Sequence, residues 1–444
     1  MTDAVGYGTV FVWQGDGVAA ASTRVDLLAQ LTTALGTPIT KNPAVAEGLV
    51  HIRFLTPTQT GYREIAALDG STQARLIDGR VQLEPARDAV DWDRRGTERP
   101  IEQLVTEIVA QLEAALDPGP IRVDLTAGRD TRLILAGLFH LGAAEHLDFY
   151  TIGGPLLEDV CVAQARATQL DLSHEAGMPF TIPTEPFDDQ FRRHAAITAG
   201  MSNPKDAFRL PESFHDYRRV SGLFGELLRG WRSMGSGKQS SERNADRIAM
   251  RFGVGKLDLL ARDARTRVEQ RVRAEIVDPT DPDRLGRHAA HRFYTRNRLR
   301  SRACRIDDMT PEARCYPLLS RSLVELGLDA MWHHHDEPFD DLIVAQLAPV
   351  LLEPPPPLPA ADALAPVAMN SAGKPTSVMQ QALRHSSQAR RELFLELAAT
   401  ESAAWDVIHR DAFEAAANNY TGLDNNAVGL IQGAACAVEW LSSG

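Results

Sequence analysis

The segment Thr126-Ala127-Gly128-Arg129-Asp130-Thr131 combines hydroxyls, small side chains and a carboxylate between a β-rich run, Ile121 to Leu125, and a helical pattern. A strand that turns directly into a helix leaves backbone N–H groups and the positive helix end facing a common point. Such a point binds anionic oxygen, phosphate above all. A plainer use of the same residues also exists. Strand-to-helix turns favour small residues, and an aspartate early in a helix complements its dipole.

Other residue types with chemical potential stand further along. Gly225 and Glu226 lie in VSGLFGELLRGWRS (220–233), Glu312 and Arg314 in TPEARCYPLL, and Lys374 in SAGKPT. The run His333-His334-His335-Asp336-Glu337 has metal-binding residue types, but adjacent side chains on a helix point in different directions, so it reads as a solvated loop. Arginines at 292, 296, 298, 300, 302 and 305 read as a solvated helix that balances the excess acid, with guidance of an anionic peptide or phosphates as the alternative.

The elements that must position these residues follow from periodicity. Leu133, Leu135, Leu138 and Phe139 give the helix after the turn its apolar positions, and Gly142 marks its stop. LDFYTIGG (147–154) reads as a second buried strand, followed by a helix from Glu158 to Leu170 with Val160, Ala163, Ala167 and Leu170 on one face. Ile101, Leu104, Val105, Ile108, Leu112 and Ala115 predict a helix over 100–116, ended by Asp117-Pro118-Gly119-Pro120. Strands alternating with helices predict an α/β fold, a parallel sheet flanked by helices, with ligands beyond the carboxyl ends of the strands. The Thr126 turn falls there.

Residues 1–95 predict a small β-rich domain from VGYGTVFVW, LVHIRFL and QARLIDGRVQLEP, with a hairpin at Asp78-Gly79 and a linker at Trp92 to Gly96. Residues 96–444 form the second predicted domain. Within it, Phe187 to Val220 reads as helical and polar, 242–305 as long arginine-rich helices, and a helix begins near Ser320. LEPPPPLP predicts an extended segment, after which the chain is helical to its end.

Composition bounds the function. With 44% hydrophobic and 24% charged residues the chain reads as globular, and a formal charge of -12 argues against generic nucleic-acid binding. Cys161, Cys304, Cys315 and Cys436 show no CxxC or CxxH spacing, which points to reduced thiols, not a disulfide frame or zinc site. No apolar run reaches membrane-span length, and MTDAVGYGTV lacks the basic and hydrophobic parts of a leader. A cytoplasmic enzyme with no membrane partner is the expectation.

Four segments, in one order, resemble the synthetase domain of the asparagine synthetase and β-lactam synthetase family over roughly residues 65–385. LTAGRDTR resembles the L-S-G-G-x-D-S loop, with Thr126, Ala127 and Thr131 replacing Ser, Gly and Ser while Gly128 and Asp130 are kept. GLFGELLRGW resembles G-x-G-A-D-E-x-F-x-G-Y, with Glu226 and Gly230 kept, Trp231 for Tyr and Gly225 where the family has Asp. PEARCYPLLSRSLVELGL resembles E-x-R-x-P-F-L-D-x-x-L-V-E through Glu312, Arg314, Pro317, Leu318, Leu323, Val324 and Glu325, and Lys374 of SAGKPT resembles the late lysine.

The resemblance implies an ATP-pyrophosphatase fold that uses ATP and Mg²⁺. It implies nucleotide contacts at Leu125, Thr126, Gly128, Arg129, Asp130, Thr131, Ile152 and Gly225, and metal contacts at Asp130 and Glu226. Lys374 would stabilise the charge that develops as the amide forms, and Glu312 would orient a base or the amine with Tyr294 as its partner. The implied reaction activates a carboxylate as an acyl-adenylate, releases pyrophosphate, and passes the acyl group to an amine. Substrates would be small-molecule or peptide acids and amines of specialised metabolism. A substrate-delivering partner protein and a homo-oligomer both stay open.

Glutamine-hydrolysing members carry a cysteine after the initial methionine; here Thr2 follows Met1 and Cys161 is the first cysteine, so glutamine is not the expected ammonia source. GSTQARLIDGRVQLEP resembles the late hairpin of their glutaminase domain, which makes residues 1–95 a shrunken remnant. Two other readings stand beside the ligase. One is a catalytically degenerate relative that binds a nucleotide or scaffolds an enzyme. The other is adenylation with transfer to sulfur, against which the missing CxxC pair weighs.

Overall fold

The computed structural model describes residues 8–51, 59–87, 89–92, 98–116, 119–153, 158–177, 186–201, 216–229, 257–276, 291–299, 313–333, 339–355 and 387–442. The N-terminal part holds an antiparallel sheet of β1 (Phe11–Gly15), β2 (Val18–Ser22) and β3 (Ile65–Ala67) in the order β2-β1-β3. Helices α1 (Val25–Ala34) and α2 (Ala44–His51) lie between β2 and β3 in the chain. This corrects the strand expected at LVHIRFL for its first three residues; 52–55 lie outside the described residues. Leu49 to His51 close α2, where Val45, Leu49 and Val50 are all buried, so tertiary packing overrides the β preference of valine. The hairpin of β4 (Thr72–Ile77) and β5 (Arg80–Pro85) turns at Asp78 and Gly79, both at positive φ as a two-residue turn of matching twist requires.

Helix α3 (Pro100–Ala115) starts on a proline and leads to the central sheet. Its strands and helices run β6 (Ile121–Asp124), α4 (Arg129–His140), β7 (Asp148–Ile152), α5 (Glu158–Gln169), β8 (His174–Gly177), α6 (Phe187–Ile197), β9 (Arg218–Val220) and α7 (Gly225–Arg229). Then come α8 (Arg262–Ile276), β10 (Ala313–Cys315), α9 (Arg321–His333) and α10 (Phe339–Leu347). All adjacent strands are parallel, in the order β10-β9-β6-β7-β8. The fold is α/β: a five-stranded parallel sheet flanked by helices, with a small antiparallel N-terminal region and a helical C-terminal part.

The expected helical stretch from Phe187 ends at Ile197, and Arg218–Val220 is a strand. At three residues, Arg-Arg-Val is too short and too charged to carry a strand period, and the same holds for Ala-Arg-Cys in β10. These short strands complete the topology. The chain steps from β6 through β7 to β8, then returns to the other flank of β6 for β9 and β10. Reversal of direction opens a crevice at the carboxyl ends of β6 and β9, the place where open α/β sheets bind ligands.

Two apolar cores support this frame. One packs Val123, Leu125 and Phe149 of the sheet region under Leu133, Leu135 and Leu138 of α4, with Leu104, Ile108 and Leu112 of α3. A Cβ at Gly137 would stand 2.2 Å from Leu112 Cδ1, so the glycine is what lets α3 and α4 cross this closely. Gly142, at positive φ, follows the end of α4 as expected. The other core joins Phe11, Trp13, Leu28 and Leu49 to Phe394 of α11 (Ser387–Ala399), Phe413 of α12 (Arg410–Asn418) and Ile431 of α13 (Asn425–Ser442). Among the described residues no helix is long and apolar enough to cross a membrane.

Burial sets a pH response in α2. His51 is held down to about 4, first by burial and then by the Arg265 guanidinium, while Glu269 at 3.8 Å is half-exposed and too screened to reverse this. Its folded pKa lies below the unfolded value near 6.5, so this contribution is complete above that pH and is lost as pH falls toward 4. The loss amounts to at most about 3 kcal/mol. Urea unfolding between pH 7 and pH 4 should show a shallower stability decline for His51→Leu than for wild type; parallel slopes would contradict the assignment.

Candidate functional site

Leu125 directly follows β6 and is buried, and its N–H donates to the Tyr150 carbonyl at 3.0 Å. Its own carbonyl accepts the Thr151 hydroxyl. Thr151 Oγ1 also lies 2.8 Å from His174 Nε2. Because the threonine proton is spent on Leu125, the imidazole supplies the proton in this second bond. Burial lowers the His174 pKa, with the Glu175 carboxylate opposing it, so a neutral ring protonated on Nε2 fits both observations. The base of the turn is thus anchored through β7 to β8.

Above this base the turn is held by its own hydroxyls. Thr126 N–H donates to Thr131 Oγ1 at 3.2 Å, Gly128 N–H to Thr126 Oγ1 at 3.0 Å, and the Thr131 hydroxyl donates to the Gly128 carbonyl at 3.1 Å. Gly128, at φ -71 and ψ 150, is the N-cap of α4. Ala127 is not among the positive-φ residues and its side chain is exposed, so its methyl group is accommodated without backbone strain. The third loop amide, Ala127 N–H, donates to Asp159 Oδ1 of α5 at 3.2 Å.

The segment after β9 closes onto α4. Ser221 N–H donates to the Cys315 carbonyl at 3.0 Å, and Gly225 N–H to the Gly222 carbonyl at 3.2 Å. Phe224 is fully buried at φ +82, a costly backbone position for an aromatic residue, with its ring edge-on to Tyr316 at 5.2 Å. A Cβ on Gly222 would lie 2.7 Å from the Asp130 carbonyl carbon and the Thr131 nitrogen. One on Gly225 would lie 2.4 Å from Asp130 Oδ1. Both glycines are therefore demanded by contact with the first turn of α4. Glu226 follows directly and accepts the Tyr294 hydroxyl at 3.0 Å.

Several residues singled out in the sequence converge here. Leu125, Thr126, Gly128, Arg129, Asp130 and Thr131 line the end of β6 and the start of α4, and Gly225 abuts Asp130 from the β9 side, with Glu226 next to it in the chain. Ile152 ends the neighbouring strand β7, opposite Gly177 of β8. Arg129 points to Asp340 at 3.6 Å, and Arg132 to Asp341 at 2.6 Å, which ties α4 to α10. Tyr294 donates its hydroxyl to Glu226 and opens a π-helical turn, Tyr294–Leu299, within the stretch read as regular helix; its expected partner Glu312 is not among the described residues. Glu312, Lys374, Gly230 and Trp231 lie outside the described residues, as do His334 to Glu337.

Four residues escaped the sequence reading: Thr151, Asp159, His174 and Phe224. Asp159 carried a signal, since an acid in the first turn of the next α/β helix falls at the same end of the sheet. Chemically, the arrangement offers a small amide-lined turn for anionic oxygen, with two carboxylates, Asp130 and Glu226, in the same small region. No group of three or more metal-binding side chains gathers among the described residues. Two carboxylates nevertheless suit a cation that keeps several waters and takes phosphate oxygens, as Mg²⁺ does.

The contact at Gly225 gives a direct expectation. Gly225→Asp should displace Asp130 and destabilise the protein by about 1–3 kcal/mol. Equal or higher stability in urea unfolding would contradict the packing described. In comparisons with known proteins, the chain matches no family model and no curated protein.

Proposed function

We propose that the protein is an ATP-dependent, AMP-forming ligase of the asparagine synthetase and β-lactam synthetase type, which joins a carboxylic acid to an amine without glutamine hydrolysis. The observation that carries this reading is the meeting of two distant motifs at the sheet's switch point: Gly222 and Gly225 pack directly on Asp130 and Thr131. A turn of any ordinary β-α unit needs no such partner.

In this reading the amides at the start of α4 and the threonine hydroxyls receive the pyrophosphate portion of ATP, where the helix dipole favours negative charge. Asp130 and Glu226 would hold Mg²⁺, which when bound would supply positive charge for the pyrophosphate oxygens. Tyr294 fixes the Glu226 carboxylate through its hydroxyl. Lys374 and Glu312 take the acyl-transfer roles that their motifs imply. The substrates belong to specialised metabolism or peptide modification, in a cytoplasmic setting. Pyrophosphate release from ATP and Mg²⁺, assayed across a panel of carboxylic acids with amines, tests the proposal. Release that depends on the acid supports it, and ATP binding without release under every pairing counts against it.

One observation favours a second reading, a nucleotide-binding relative without turnover. Gly225 leaves no room for the acid of the family pattern, so one metal contact of that pattern is closed off. The same assay separates the two readings.

A further inference from the structure

We infer that Asp159 occupies the anion position of the Thr126–Gly128 turn and must be displaced, or neutralised by a divalent cation, when a phosphate oxygen enters. This rests on the nucleotide reading of that turn. Three loop amides face the crevice end of β6. Thr126 and Gly128 N–H donate to hydroxyls of the turn itself, at 3.2 and 3.0 Å, and are internal to its fold. Ala127 N–H alone reaches outside, to Asp159 Oδ1 at 3.2 Å across 32 positions of the chain.

The acceptor's character matters. A carboxylate oxygen on a backbone amide at the start of a helix has the charge and geometry of a phosphate oxygen in the same place. Ala127 and Asp159 are both exposed, so little burial holds the bond, and it can open without disturbing either core. Among the described residues no lysine or arginine pairs with Asp159. Arg129, beside it in the turn, is directed to Asp340. Asp159 therefore brings its negative charge to the point where a polyphosphate would sit. One N–H cannot serve both anions, and two like charges brought to one amide repel.

The test measures ATP binding by calorimetry on the full chain, in EDTA and in Mg²⁺, for wild type, Asp159→Asn and Asp159→Ala. Without Mg²⁺, both variants should bind ATP about tenfold more tightly than wild type. Addition of Mg²⁺ should tighten wild type by a larger factor than either variant. If wild type binds ATP and the variants match it in both conditions, or bind more weakly in EDTA, the inference is overturned while the nucleotide reading stands. If no protein binds ATP in either condition, the nucleotide reading falls and takes this inference with it. Matching thermal unfolding of the three proteins is expected, since Asp159 is exposed.

Discussion

Asp130→Asn should lower pyrophosphate release at saturating ATP by about two to three orders of magnitude while leaving the protein folded. Asparagine has the shape of aspartate, so the contacts of Asp130 with Gly222 and Gly225 survive, and the thermal transition should move little. What changes is the charge. A carboxylate that holds a divalent cation against a leaving pyrophosphate contributes several kcal/mol to the transition state, and each 1.36 kcal/mol is about tenfold in rate. Glu226→Gln should lose less, because the Tyr294 hydroxyl still holds the side chain in place and Asp130 remains. A variant at Asp130 with wild-type turnover would remove this residue from the site.

The largest stability effect is expected in the tie between α2 and α8. Glu47 is almost fully buried and is gripped by Arg267 through Nε and Nη2, at 2.9 and 2.7 Å, and by Arg271. Arg267→Met with Arg271→Met leaves that carboxylate buried without compensation, which costs about 3–5 kcal/mol. Either single substitution should cost clearly less, since the other guanidinium still faces Glu47. Adding Glu47→Leu to the double variant should recover most of the loss, because an apolar trio carries no desolvation penalty. Urea unfolding measures all four proteins. A double variant no less stable than wild type would mean that the N-terminal region does not depend on this ion cluster.

How much of this was legible in the sequence depended on local pattern. The turn, helix α4 and its Gly142 stop, β7, α5 and the Asp78-Gly79 hairpin all carry strong periodic or turn signals, and each stands where those signals place it. Helix α2 was hidden because Leu49-Val50-His51 has strand-like composition, and only its burial among other helices makes it helical. Strands β9 and β10 were hidden for the opposite reason. Arg218-Arg219 and Arg314 are charged; β9 forms on the edge that β6 offers, with Arg219 paired to Asp124 at 2.5 Å, and β10 forms on the edge of β9.

The site itself was legible where residues lie in one motif and illegible where they meet across the sheet. Asp130 and Glu226 could be named in advance, but that Gly225 faces Asp130 is a fact of topology, not of spacing. The Thr151–His174 anchor and the Asp159 contact likewise depend on the parallel register of β6, β7 and β8, which no single segment encodes. Phe224 at positive φ is a strain that its flanking glycines hint at and only its burial explains.

The proposed seat of a nucleotide polyphosphate lies between the carboxyl ends of β6 and β9, and hydrogen–deuterium exchange with ATP and Mg²⁺ tests it. Exchange should slow together in the peptides that carry 125–132 and 221–226, with β4 and β5 unchanged. ATP binding that leaves both segments unchanged, or protects a different part of the chain, would contradict it.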